Sequence, residues 1–297
     1  MVSRADAVPA PLLVLGGVLS VQFGGALAAT LVPEVGASTS VLLRLVFAAA
    51  IMLVLARPRL LGHSPAAWRT VLLFGVALGG MNWAFYASLA YLPIGVAVTF
   101  EFVGPLLLAA AGSRRVRDLG AVAVAAVGVV LVSEVTHLPL SELSWRGIGL
   151  ALLAGAFWAA YIVCSSRTGA VFDRLDGLSL AMVVAMVVVL PAGALGWHTV
   201  TAEHLLKGLG LALLSSVLPY SLELLALRRM SATVFGILLS LEPAVAALAG
   251  LVVLGQVLSG PQLVGMSLVV VASVLVLGRP RERSEGEAPA HLTETGA

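Results

Sequence analysis

The chain has 297 residues, of which 60% are hydrophobic and 11% are charged, and its formal net charge is +2. A soluble domain of this length does not have such a composition, and the small net charge does not indicate nucleic-acid binding. The single cysteine, Cys164, excludes an internal disulfide bond and a cysteine cluster for a metal ion.

Ten apolar stretches follow one another along the chain. Each is close to the ~20 residues with which a helix crosses the hydrocarbon core of a bilayer. They span residues 10–31, 37–56, 68–90, 94–112, 116–133, 147–166, 177–197, 206–227, 232–254 and 261–278. The sequence therefore predicts an all-α membrane protein with ten transmembrane helices, embedded in a lipid bilayer.

Positive charge is distributed unevenly between the gaps. Fourteen of the 17 Lys and Arg residues lie before the first stretch or in, or at the edge of, the gaps that follow the second, fourth, sixth, eighth and tenth stretches, with Arg69 and Arg117 at such edges. Arg146 lies in one of the opposite gaps and Lys207 at the edge of another, and Arg44 lies well inside the second stretch. Because Lys and Arg are retained on the cytoplasmic side, the pattern predicts an inner-membrane protein with both termini in the cytoplasm.

The stretches divide into two sets of five. Because five is an odd number of crossings, the two sets are predicted to be inverted repeats. The run LPIGVAVTFEFVGPLLLAAAG in the fourth stretch parallels MSATVFGILLSLEPAVAALAG in the ninth, and Pro105 matches Pro243. The predicted divisions are a cytoplasmic N-terminus (1–9), a first repeat (10–133), an outer loop (134–146), a second repeat (147–278) and a disordered cytoplasmic tail (279–297).

The two matching prolines are candidates for helix breaks. A proline inside a helix removes a backbone hydrogen bond, and hydrocarbon tolerates this only where protein or a water-filled cavity meets the freed carbonyl. Pro105 and Pro243 at equivalent places therefore predict a central site. For either proline alone, a simple kink is an equally good interpretation.

Motifs of soluble enzymes such as GxxxxGK, HExxH and GxSxG do not occur in the sequence. The five histidines, His63, His137, His198, His204 and His291, fall in predicted loops or in the tail, where solvated surface histidine is the expected role. The sequence therefore predicts no catalytic residue, no cofactor, no metal site and no nucleic-acid partner.

Polar residues inside the apolar stretches predict a buried site. Arg44, Asn82 and Glu101 each lie seven or eight residues from the outer end of a stretch, or ~10 to 12 Å below the outer boundary. Tyr86 shares a helix face with Asn82, and Glu242 reaches roughly the midplane. A charge near the bilayer centre costs ~2.5 to 3.5 kcal/mol and must be compensated. We predict that these residues bind substrate and protons.

Two charged residues have alternative roles. Arg44 could form a structural ion pair with Glu101 or Glu242, which would allow both charges to exist in the membrane. This role is compatible with transport, because two carboxylates against one arginine leave one carboxylate free. Glu223 lies five residues before Arg228 near the inner boundary, and we expect it to extend to the surface and pair with a nearby arginine.

Four further residues are candidates for lining a pathway. They are Gln22, Trp158, Tyr161 and Tyr220, which lie inside predicted helices. Aromatic residues near helix ends are also ordinary interfacial anchors. Pathway lining is therefore one of two interpretations for the three aromatic residues.

Two segments carry a resemblance to a known family. LGGMNWAFYASLAYLPIGVAVTFEFVGPL (78–106) and LPYSLELLALRRMSATVFGILLSLEPAVAA (218–247) resemble the EamA-type family of the drug/metabolite transporter superfamily, and within it the bacterial inner-membrane exporters of threonine and homoserine. The resemblance covers about residues 10–278 and implies ten helices in two inverted five-helix repeats, with export of small amino acids driven by the proton gradient. One departure is Gln256 after Gly255, where many relatives have an acidic residue.

We therefore expect a secondary active transporter that exports amino acids of the threonine and homoserine type by proton antiport. Arg44 would receive the substrate carboxylate, Glu101 or Glu242 its ammonium group, and Asn82 or Tyr86 its hydroxyl. One alternative is an exporter of other metabolites or of cationic drugs, although Arg44 argues against a site for cations. An importer is another alternative. A membrane enzyme or a non-transporting scaffold is the alternative of another class, but no nucleophile or metal cluster is visible, and a scaffold needs no buried charges.

Overall fold

A computed structural model describes residues 8–113, 115–133, 144–254 and 258–277. The described residues are mainly helical, and no β-strand occurs within these ranges. The helices are α1 (Ala10–Val35), α2 (Ala37–Ala56), α3 (Pro65–Ser88), α4 (Ile94–Gly112), α5 (Val116–Val132), α6 (Trp145–Val171), α7 (Asp176–Gly193), α8 (Ala202–Ala212), α9 (Leu218–Leu227), α10 (Ala232–Leu239), α11 (Leu241–Leu254) and α12 (Gly260–Leu277). Within the described ranges, six helical segments are long and apolar enough to cross a membrane, and three shorter apolar segments accompany them.

The helices follow the predicted stretches closely. The second and fourth stretches coincide with α2 and α4, whereas the eighth is α8 and α9 joined by a π-helical turn, Leu213–Val217. The ninth stretch is divided into α10 and α11 at Ser240. Most of the predicted outer loop, the predicted tail and the Gly255–Gln256 pair lie outside the described residues.

Short polar side chains and one glycine determine where several helices begin. The Ser64 hydroxyl accepts a hydrogen bond from the Ala67 N–H at 3.2 Å at the start of α3, and Ser144 accepts one from Gly147 at 3.4 Å at the start of α6. Such caps satisfy N–H groups that have no partner inside the helix. Gly36, with φ of 82°, is the one residue between α1 and α2, and this left-handed backbone favours glycine.

His204 differs from the prediction of a solvated surface histidine. The chain becomes helical at Ala202, before the predicted start at residue 206, so His204 lies in the first turn of α8 and is buried. Its Nδ1 accepts a hydrogen bond from the Thr201 N–H at 3.0 Å, and its Nε2 lies 2.6 Å from Glu34 on α1. The prediction was wrong because a capping box, rather than the apolar run, fixes the start of this helix.

Helix packing depends on glycines at the crossing points. A Cβ on Gly104 of α4 would lie 1.8 Å from the Gly155 carbonyl oxygen of α6, and a Cβ on Gly265 of α12 would lie 2.7 Å from the Gly128 carbonyl oxygen of α5. The backbones are therefore in direct contact at both crossings, as small residues permit in membranes. Helix α3 packs on α6 and α7, α2 packs on α7, and α9 packs on α1, which brings α2, α3, α6 and α9 together around the site.

Candidate functional site

Arg44 lies on α2 in the interior of the protein, with only 4% of its surface exposed. Its Nη2 donates a hydrogen bond to Asn82 Oδ1 on α3, and the guanidinium lies 5.5 Å from the centre of the Tyr86 ring. This separation is within the range of a cation–π interaction. Its Nε has no hydrogen-bond partner among the described residues. The contacts of the buried charge are therefore neutral groups.

Asn82 connects the guanidinium to the second half of the chain. Its Nδ2 donates to the Leu78 carbonyl at 2.7 Å and to the Tyr220 hydroxyl of α9 at 3.1 Å. Because these donor contacts direct Nδ2 away from Arg44, Oδ1 remains the acceptor for the guanidinium. The structure thus brings together four of the predicted residues: Arg44, Asn82, Tyr86 and Tyr220.

Tyr161 on α6 extends this arrangement. Its ring centre lies 5.5 Å from that of Tyr220, and its hydroxyl donates a hydrogen bond to Glu223 Oε2 at 2.7 Å. Tyr161 is fully buried, so its hydroxyl needs a partner inside the protein. Hydrogen bonds therefore link Arg44 to Tyr220 through Asn82, and Tyr161 to Glu223, and the two sets meet where the Tyr220 and Tyr161 rings are in contact.

Glu223 corrects a prediction. We expected it to extend to the inner surface and pair with an arginine, but it is 7% exposed and bound by Tyr161. The Arg228 guanidinium donates instead to the main-chain carbonyls of Phe172 at 2.7 Å and Arg174 at 2.6 Å. The short distance of Glu223 from the inner boundary suggested that its side chain reaches the surface. The rotation of α9 instead directs the carboxylate into the protein. A signal was available: Tyr220 lies three residues earlier and shares the helix face.

Two further carboxylates of the predicted site are those of Glu101 and Glu242. Glu101 on α4 is 9% exposed, and Glu242 occupies the first turn of α11, where a helix N-terminus favours negative charge. Glu242 is close enough to interact electrostatically with both Glu101 and Glu223. Within the described part of the chain, Arg44 forms no ion pair with Glu101 or Glu242, so the predicted structural ion pair is absent from this arrangement.

The two prolines act differently on their helices. Helix α4 continues through Pro105, and the expected break there does not occur. Pro105 has no N–H, so the Glu101 carbonyl lacks its partner in the helix. This carbonyl instead faces α6 so closely that a Cβ on Gly155 would lie 2.4 Å from its oxygen. In the second half, the chain does divide at Ser240, three residues before Pro243.

The remaining predicted residues lie at the margins. Trp158 is buried on α6, with its ring edge-on to Phe102 of α4 at 4.8 Å between centres. Gln22 is partly buried on α1 and has no hydrogen bond to Arg44, Asn82 or Glu223 among the described residues. No group of three or more His, Cys, Asp and Glu side chains in the described ranges could hold a metal ion.

The arrangement has the chemistry of a site for a small zwitterion. Arg44 presents planar donors that suit a carboxylate, and the three glutamates can hold a proton or face an ammonium group. All of these groups are held on helices rather than on loops. The site is enclosed by Phe74, Tyr161 and other buried side chains of the core, which lowers the local dielectric and strengthens interactions with charged ligands.

Comparison with known proteins identifies relatives of this chain. Residues 145–278 match the EamA-like transporter family. The chain is 37% identical over 268 residues to the threonine/homoserine exporter RhtA of Salmonella typhimurium (strain SL1344), covering 89% of each protein. It is also 37% identical over 271 residues to RhtA of Escherichia coli (strain K12), covering 88% of this chain and 89% of that protein. A crystal structure of a protein 18% identical in sequence shares the fold, with a TM-score of 0.71 over 90% of this chain and 95% of the other.

Proposed function

Because the chain belongs to the EamA-like transporter family, we propose that it exports small amino acids of the threonine and homoserine type in exchange for protons. The chain is a multi-pass transporter of the bacterial inner membrane. The relatives that are 37% identical over nearly nine-tenths of its length are named exporters of threonine and homoserine. The substrate class and the coupling to protons are the proposed elements.

One observation carries the proposal. Arg44 is buried at 4% exposure, yet its contacts are the Asn82 amide and the Tyr86 ring. A buried cation without a counter-ion is expensive in a membrane. A substrate carboxylate would provide the counter-ion and accept from the donor at Nε, which has no partner among the described residues. This favours an anionic or zwitterionic substrate over a lipophilic cation.

The rest of the site suits the other groups of such a substrate. Glu101 and Glu242 would receive the ammonium group. Asn82 and Tyr86 lie beside the Arg44 guanidinium. They would therefore receive the side-chain hydroxyl of a substrate whose carboxylate is bound to Arg44. An amino acid with a hydroxyl side chain would therefore match all three kinds of group.

We propose that ten segments cross the membrane as two inverted five-helix repeats, with both termini in the cytoplasm. The pattern of helix contacts supports this. The contact of α3 with α6 has a counterpart in that of α9 with α1, and the contact of α4 with α6 has one in that of α11 with α1. Helices α2 and α7, and α5 and α12, which would be equivalent, pack on each other. Exchange of the two halves therefore reproduces the contacts, as alternating access by repeat movement requires.

The driving force is sufficient for export. Exchange of one proton across 100 mV supplies ~2.3 kcal/mol. At ~1.4 kcal/mol per tenfold, this sustains roughly a fifty-fold concentration ratio before any pH gradient is added. One carboxylate that alternates between its protonated and ionised states is enough for this coupling, and the site contains three.

Efflux from cells that overexpress the protein and are preloaded with labelled threonine tests the proposal. We expect faster efflux with the wild type, and loss of the acceleration with a protonophore. Arg44→Lys replaces a planar fork with a point charge, and Asn82→Ala removes its neighbour, so both should slow efflux. Glu203→Gln, which changes an exposed carboxylate, is the control and should match the wild type.

Membrane insertion of each variant is measured in the same cells. No acceleration by correctly inserted wild-type protein would refute amino-acid export and direct a substrate screen towards cationic drugs. Faster uptake of threonine, driven by the inward proton gradient, would instead identify an importer. Wild-type efflux by both Arg44→Lys and Asn82→Ala would place the substrate elsewhere.

A further inference from the structure

The surroundings of Glu223 distinguish it from the other two carboxylates of the site, Glu101 and Glu242. Tyr161 on α6 donates a hydrogen bond to it at 2.7 Å. Tyr220 lies one turn earlier on the same helix, and α1 approaches so closely that a Cβ on Gly17 would lie 3.8 Å from Glu223 Cγ. Glu242 on α11 is within electrostatic range. Of the three carboxylates of the site, Glu223 is the one with a side-chain hydrogen bond among the described residues.

No cation in the described part of the chain neutralises Glu223. Helices α1, α6, α7 and α10 pack against α9, and α10 carries no ionisable residue. The other ionisable residues of these helices, apart from Tyr161, are Glu34 on α1, Arg146, Cys164 and Arg167 on α6, and Asp176 on α7. Within the described ranges, none of them forms a hydrogen bond or an ion pair with Glu223. Arg228, the nearest arginine in sequence, is engaged by main-chain carbonyls.

From this geometry we infer that Glu223 carries the proton that is exchanged for substrate, and that Tyr161, Tyr220 and Asn82 connect it to Arg44. The inference rests on the proposed exchange of amino acids for protons and names the residue that performs it. A carboxylate permanently paired with arginine could not lose and regain its charge in this way, whereas a hydroxyl donor can serve both states: it donates to the carboxylate and can accept from the carboxylic acid.

Substrate binding at Arg44 would lead to proton release from Glu223 in a defined order of steps. A substrate carboxylate at Arg44 competes with Asn82 Oδ1 for the guanidinium, so the amide is released from one partner. Asn82 Nδ2 holds the Tyr220 hydroxyl at 3.1 Å, and the ring of Tyr220 contacts that of Tyr161. Through this ring contact, we expect a shift of the amide and of Tyr220 to alter the position of the Tyr161 hydroxyl at Glu223. The proton then moves from the Glu223 carboxyl group to water on the side of the membrane from which the substrate has entered, and no other covalent bond changes.

Proteoliposomes test the inference by separating exchange from coupling. Exchange of labelled for unlabelled threonine needs no net proton movement, whereas accumulation against a gradient does. In Glu223→Gln we expect exchange to continue and accumulation driven by a pH gradient to fall at least about tenfold, which is within the range typical of coupled sites. Glu101→Gln should reduce both assays in the same proportion, through weaker binding. Glu203→Gln is the matched surface control.

A second measurement keeps the inference testable if Glu223→Gln transports nothing. Addition of threonine to purified wild-type protein in weak buffer should release protons, and the same addition to threonine-binding Glu223→Gln should release none. Tyr161→Phe keeps the carboxylate but removes its donor, so the pH at which release is half-maximal should rise. Proton release by Glu223→Gln equal to the wild type would overturn the inference, as would an unshifted midpoint in Tyr161→Phe.

The outcomes separate this inference from the proposed function. Wild-type liposomes that do not exchange threonine at all would refute the proposed function, and this inference with it. Wild-type exchange together with full pH-driven accumulation by Glu223→Gln would leave amino-acid transport intact and refute only the role of Glu223. In that case, loss of driven accumulation with retained exchange in Glu101→Gln would assign the proton to α4.

Discussion

The contact between α4 and α6 gives a sharp prediction for Gly155→Ala. A Cβ at this position would lie 2.4 Å from the Glu101 carbonyl oxygen, and ordinary contact begins at 3.4 Å, so the two backbones would have to separate by 1.0 Å (3.4 − 2.4). Neither atom belongs to a flexible side chain. Overpacking of this kind costs about 1 to 3 kcal/mol, which corresponds to a roughly 5- to 150-fold loss in the ratio of folded to unfolded protein.

The same movement should impair transport. Glu101 lies on α4, while Trp158 and Tyr161 lie on α6, so separation of these helices widens the site. Thermal unfolding of detergent-solubilised protein and threonine efflux from cells measure the two effects. We expect Gly155→Ala to unfold at a lower temperature and to export more slowly than the wild type.

Gly149→Ala is the matched control. Gly149 lies on the same helix α6, is exposed, and no heavy atom lies within 4 Å of the position of its Cβ. Alanine there should be neutral or slightly stabilising, because alanine favours the helix by up to ~1 kcal/mol over glycine. If Gly155→Ala unfolds and transports like Gly149→Ala, the close backbone contact between α4 and α6 is wrong.

Two further predictions concern other contacts of the fold and the site. Tyr220→Phe removes the hydroxyl that accepts a hydrogen bond from Asn82 at 3.1 Å. This should weaken threonine binding by about fivefold, or ~1 kcal/mol. Equal affinities of the wild type and the variant for threonine in a binding titration would contradict this role. Gly128→Ala places a Cβ 2.9 Å from the Gly265 carbonyl oxygen and should lower the unfolding temperature. Gly120→Ala on the same helix meets nothing within 4 Å and should leave that temperature unchanged. Equal unfolding temperatures of the two variants would count against the crossing of α5 and α12.

Hydropathy predicted most of the helices because the bilayer sets their length and composition. The second stretch, 37–56, and the fourth, 94–112, have the bounds of α2 and α4. Hydropathy did not predict local changes of the helical backbone. The division at Ser240 and the π-helical turn Leu213–Val217 change the course of apolar segments without interrupting the apolar pattern.

The prediction of the site succeeded for residues whose depth in the membrane decides their contacts. It failed where the rotation of a helix about its axis decides them. Arg44 and Asn82 were placed at one depth from opposite directions along the chain, and they do contact each other. For Glu223, distance from the inner boundary suggested the surface, but the face of α9 on which it lies points to Tyr161. Depth follows from residue count at 1.5 Å per residue, whereas rotation follows from packing against neighbouring helices, for which the sequence offered only the indirect signal of Tyr220 on the same face.

The role of Arg44 as receptor for the substrate carboxylate is tested most directly by competition binding. Labelled threonine bound to purified protein is displaced by unlabelled threonine or by threoninol, which keeps the ammonium and hydroxyl groups but lacks the carboxylate. Loss of one partner of a buried charged pair costs about 2 to 5 kcal/mol, so threoninol should compete at least ~30-fold more weakly, and this difference should vanish in Arg44→Gln. Equal competition by threoninol and threonine on the wild type would contradict the account.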